Sequence, residues 1–132
     1  DVGDIDGDLD LDLLHGARSE PPRMFANRLS QTGALALRDV SGASFPVPHS
    51  GGNGHYEQEL GDFDVDDDLD IYGVNWFNNF NDSTLSNQGD GTYGSPVQVP
   101  GSLPDDNEAD FGDFDGDGDL DVYVANFSGQ DR

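Results

Sequence analysis

Three short stretches of this chain carry one pattern and align without gaps: GDIDGDLDLDLL over residues 3–14, GDFDVDDDLDIY over 61–72 and GDFDGDGDLDVY over 112–123. They hold 16 of the 28 acidic residues, and 24 of those 28 are Asp. The formal charge of −23 is therefore local, since elsewhere 12 acids face 5 Arg. Carboxylates this dense repel one another and are tolerable only with something cationic among them. A halophilic surface is the alternative, but it would spread acid over exposed faces rather than gather it in three matched windows.

The same charge excludes whole classes of function. With no Lys and five Arg, the chain cannot neutralise a phosphate backbone or hold anionic lipid. No apolar run approaches the ~20 residues of a membrane-spanning helix. The lack of Cys removes disulfides, thiol nucleophiles and Cys-ligated zinc. The sequence opens at Asp1 without the pattern of a signal peptide, and we expect it to be a piece of something longer.

The windows recur at 58 and 51 residues, a spacing at which solenoids and propellers are the first architectures to consider. Gly and Pro make up 25 of 132 residues, and no apolar stripe of helical period runs for three turns. Short apolar runs follow each window at residues 11–14, 71–74 and 122–125, and read as strands covered on both faces. Strand candidates precede two windows, at residues 56–60 and 109–111. The stretch Gly89-Asp90-Gly91-Thr92-Tyr93 reads as a turn between two further strands. Each unit is thus strand, acidic loop, strand, hairpin. The expected fold is all-β, made of β-propeller blades of four antiparallel strands. About two and a half repeats are present: 1–60, 61–111 and a partial 112–132. A complete ring needs more, supplied by missing chain or by other copies.

The third window shows the loop chemistry best. Asp113, Asp115 and Asp117 take positions 1, 3 and 5, Gly118 position 6, Asp119 position 7 and Asp121 position 9. Alternate carboxylates in a tight loop can face one ion, position 6 needs a left-handed residue, and position 7 can offer its carbonyl. Hard oxygen donors in that number suit calcium, while magnesium wants a stricter octahedron. No window holds His or Cys, which disfavours zinc and copper. The second loop offers Asp62, Asp64, Asp66, Asp68 and Asp70, with Asp67 at position 6. The first offers Asp4, Asp6, Asp8, Asp10 and Asp12, with Leu9 at position 6. Strain at that position predicts affinity falling from third to second to first, and the first loop could be a degenerate remnant. Up to three Ca2+ ions are expected.

These repeats resemble the FG-GAP and VCBS family, known from the propellers of integrin α subunits. The segment from Gly112 to Asn126 carries the likeness, with Asn27-Arg28-Leu29, Arg38-Asp39-Val40-Ser41 and Gly89-Asp90-Gly91-Thr92-Tyr93 resembling later parts of the repeat. The resemblance implies a calcium-stabilised propeller in a secreted or cell-surface protein, serving adhesion, carbohydrate binding or as an appendage to an enzyme. The expected function is a structural and interaction module without catalysis of its own. Its expected partner is a cell-surface protein or glycan.

Two other readings stay open. In one, Trp76, Phe77, Asn78 and Asn79 form a lectin-like contact, aromatic faces stacking on a sugar while amides bond its hydroxyls, unless Trp76 and Phe77 pack between blades instead. In the other, the chain is a propeller segment of a polysaccharide-active enzyme. His15, His49 and His55, and the pair Glu57 and Glu59, assemble no complete catalytic group in the sequence.

Overall fold

A computed structural model describes residues 1–17, 21–45, 57–75, 81–102, 106–127 and 130–131. The fold is all-β, built from three antiparallel sheets in chain order. The first joins β1 (Val2–Gly3), β2 (Asp12–His15), β3 (Arg23–Asn27) and β4 (Leu37–Asp39), each paired to its neighbour in sequence. The second repeats that order with β5 (Glu57–Gly61), β6 (Asp70–Val74), β7 (Ser83–Leu85) and β8 (Val97–Gln98). The third pairs β9 (Asp106–Gly112) with β10 (Asp121–Asn126). Each acidic loop is the connection between the first two strands of its sheet. The strand ahead of each loop therefore pairs with the strand that follows it. The sheets start at Val2, Glu57 and Asp106, a few residues ahead of the unit boundaries drawn at 60/61 and 111/112.

Two helical turns, α1 (Leu29–Thr32) and α2 (Ser41–Ser44), flank β4. Gly33 closes α1 in the left-handed conformation at φ 73°, so the first hairpin turns through a helical corner. The second turns through the expected Gly-Asp-Gly stretch, where Asn87 and Tyr93 form an isolated bridge.

Period-two alternation makes the sheets stack. Along β6, Ile71 faces the first sheet and joins Ile5, Leu14, Met24, Leu85 and Tyr93 in one core. Its neighbours Tyr72 and Val74 face the other way and pack with Ala109 and Val124 of the third sheet. The order of stacking is thus first, second, third. Every residue of β6 is buried, as the sequence leads one to expect. The expectation fails for the two outer sheets. Leu11 precedes β2 and is exposed, and in β10 Tyr123 reaches solvent on the face that has no neighbouring sheet among the described residues, while Val122, on the face toward the second sheet, is only partly covered.

Glycines set how closely the sheets approach. A β-carbon on Gly61 would lie 2.7 Å from the ring of Phe111, and one on Gly3 would lie 2.5 Å from Leu69 and 3.2 Å from Leu60. Gly3 and Gly61, each opening an acidic loop, are therefore sockets for the sheet that follows. The apolar residue that enters, Leu60 or Phe111, itself precedes the next such Gly.

Candidate metal centres

The three acidic loops are wound on one hydrogen-bond template. The first carboxylate of each accepts two backbone N–H groups from further round the turn. Asp8 and Leu9 donate to Asp4 at 3.0 Å each, and Asp66 and Asp67 donate to Asp62 at 3.1 and 3.0 Å. Gly116 and Gly118 donate to Asp113 at 2.7 and 3.2 Å. A bond spanning two residues follows in each, from the backbone N–H of Asp10 to Asp8, of Asp68 to Asp66 and of Asp119 to Asp117. These are the local side-chain-to-backbone bonds at which Asp excels, and they explain why Asp rather than Glu fills the windows.

This winding requires two left-handed residues per loop. The sixth position is one, with φ 71° at Leu9, 72° at Asp67 and 98° at Gly118. The fourth is another, with φ 74° at Gly7, 62° at Val65 and 80° at Gly116. Sequence reasoning anticipated only the sixth. Val65 is β-branched, so the second loop holds two strained residues where the first holds one. The strain behind the expected order is therefore absent from the third loop, whose two such positions are Gly, and greater in the second loop than in the first.

In each loop three carboxylates turn one oxygen toward a common point, all such oxygens lying within 4.8 Å of one another. They are Asp4, Asp6 and Asp8; Asp62, Asp64 and Asp66; and Asp113, Asp115 and Asp121. The other candidates, Asp10, Asp12, Asp68, Asp70, Asp117 and Asp119, lie outside these clusters. Asp12 uses both oxygens structurally, accepting from the backbone of Ile5 at 3.0 Å and of Asn27 at 2.8 Å. Asp121 likewise accepts from Phe114 at 3.0 Å. Asp70 accepts from Asn87 at 2.8 Å through Oδ1. Its Oδ2 is buried without a hydrogen-bond partner among the described residues, although the Phe63 backbone N–H favours the charged carboxylate. Oδ1 of Asp6 and of Asp10 is left in the same state.

Electrostatics follow from the crowding. Burial, then the charges on Asp12 and Asp8, raises the Asp6 carboxyl above its ordinary value. Burial first, and then Asp66 and Asp62, raises Asp64. Asp70 is pushed up to about 6, mainly by burial and further by Asp64. Asp8 is desolvated too, yet hydrogen bonds led by that from the Gln31 side chain hold it below the usual range. Carboxylates that resist ionising beside one another, with unpartnered buried oxygens, are where a cation gains the most.

Two asparagines that sequence reasoning did not select brace the loops. Asn27 donates from Nδ2 to the Leu11 carbonyl at 3.2 Å and accepts from the Leu29 N–H. Asn87 occupies the matching place, donating to the Leu69 carbonyl at 3.2 Å and accepting from Gly89 and Gly91. It also donates to the Ile5 carbonyl of the first loop at 3.0 Å, tying two loops together. The signal was present in the recurrence of Asn at the end of the third strand of the first unit and just past it in the second.

Trp76, Phe77, Asn78 and Asn79 lie outside the described residues, as do His49 and His55. His15 ends β2 on the exposed surface. No helix among the described residues is long and apolar enough to cross a membrane. Compared with known proteins, the chain matches no protein-family model, no curated protein and no solved structure.

Proposed function

We propose that this chain is a calcium-binding segment of a β-propeller, with a structural and interaction role in a secreted or cell-surface protein. The observation that carries the reading is the threefold template: three loops, one winding, three converging carboxylates in each. The donor set is all oxygen, and calcium accepts six to eight such ligands in flexible geometry. Asp4, Asp6 and Asp8 would hold one ion, Asp62, Asp64 and Asp66 a second, Asp113, Asp115 and Asp121 a third. A bound ion supplies positive charge at the point of greatest repulsion, so its binding energy becomes folding energy.

The stacking of two four-stranded antiparallel sheets and a third pair of strands, each packed on the last, supports the propeller reading. Weak calcium loops suit the ion level outside cells, which supports the proposed location. Thermal unfolding in millimolar calcium, in magnesium and in chelator tests the proposal. Calcium should raise the melting temperature well above both other conditions. Equal melting in all three would remove the ion from the account and leave the acid as a solvated surface.

A further inference from the structure

The two outer faces of the sheet stack are complementary to each other, and we infer that this chain docks head to tail with a second copy of itself. The inference rests on the stacked-repeat reading and not on the ion. Two interfaces inside the chain define what docking means. At each, a cross-strand apolar row on one sheet packs on the preceding sheet. The row is Leu60–Ile71–Leu85 in the second sheet and Phe111–Val122 in the third. The first residue of each row sits over the Gly that opens the previous acidic loop.

The first sheet carries the same row, Val2–Leu13–Phe25, in the same register. No sheet covers it among the described residues, and Val2 is 56% exposed. At the other end, the third sheet presents the receiving face. Tyr123 stands where Tyr72 stands in the second sheet, yet it is 45% exposed against 4% for Tyr72. Gly112 is the matching socket. The ring of Phe114 lies over it, within 3.0 Å of where a β-carbon would be, while its counterpart Phe63 stacks beside the incoming Phe111. Phe114 thus plugs a socket that a docked copy would take over.

Charge is a minor part of this pairing, since Arg23 lies over the Phe25 ring on the row-bearing face but is already paired with Asp39 at 3.4 Å. On the receiving face Glu108 and Asp110 are exposed beside Tyr123. Because the two patches differ, the contact is heterologous, and successive copies add in one direction until a ring closes.

The test is sedimentation velocity in calcium at 150 mM salt, where repulsion between acidic copies is screened beyond about 8 Å. At about 100 µM, a hundredfold above a micromolar Kd, the chain should sediment at twice the monomer mass or more. Val2→Asp disables the row and Tyr123→Asp the receiving face, each at an exposed position. Each variant alone should be monomeric, with its β-sheet content by circular dichroism unchanged. Mixed in equal amounts they should form a one-to-one dimer, since each keeps the end the other lacks. A monomeric wild type, a single variant that still self-associates, or a mixture that stays monomeric would overturn the inference. The mass readout is independent of the calcium-dependent melting shift, so either proposal can fail alone.

Discussion

Asp82 and Asp106 meet at the boundary between the second and third sheets with both side chains fully excluded from solvent. The Tyr72 hydroxyl donates to Asp82 at 2.9 Å, as does the Asn75 backbone, and the Asn126 amide donates to Asp106 at 3.0 Å. Burial, with the neighbouring Asp106 carboxyl adding to it, pushes Asp82 up to about 7. The third sheet repeats the motif at its own surface, where Tyr123 and the Asn126 backbone donate to Asp131.

A pH dependence follows from Asp82. Its folded state binds a proton more tightly than the unfolded chain, whose carboxyl titrates near 3.8. The associated stability is full below about pH 4 and is lost as pH rises toward 7. Asp82→Asn removes that titration. At fixed calcium, the melting temperature of the variant minus that of the wild type should rise between pH 4 and pH 7. A difference that stays constant across this range would contradict the assignment.

Gly61→Ala tests the socket between sheets. The added methyl would meet the Phe111 ring at 2.7 Å, and ring and backbone must both shift to admit it. Overpacking of this kind costs about 1–3 kcal/mol, measurable by urea unfolding. Gly42→Ala is the control, since nothing lies within 4 Å of its added carbon. Equal effects at the two positions would argue against close sheet packing at Gly61.

Leu9→Gly should stabilise the protein. Leu9 is 91% exposed, so its side chain contributes little packing, and it is held at φ 71°. Relief of left-handed strain gains about 1–2 kcal/mol, against about 0.4–1 kcal/mol of added unfolded-state entropy. Val65→Gly, at φ 62° and 71% exposed, should behave alike. Calorimetric calcium titration should show a severalfold gain in affinity at the altered loop. Unchanged affinity would mean that the ion does not require this winding.

The parts of this structure that were legible in the sequence are those written in local pattern. The alternation through Ile71, Tyr72 and Val74 announces a strand covered on both faces, and Gly89-Asp90-Gly91 announces a turn. The left-handed fourth position was not legible, because Val65 fills it in one loop and no local rule favours Val there. The structural use of Asp12 was hidden for a different reason. Its two partners, Ile5 and Asn27, lie 7 and 15 residues away, and only the folded sheet brings both to one carboxylate. Exposure of Tyr123 beside burial of Tyr72 reflects what stacks on each sheet, which similar local sequence cannot express.

The claim on which the account depends is that these loops are cation sites. Native mass spectrometry of the chain from calcium-containing volatile buffer, before and after chelation, reads it directly. The account predicts two or three calcium ions per chain, removed by chelator, with Asp113→Asn lowering the count by one. A chain that carries no calcium at millimolar ion would contradict it.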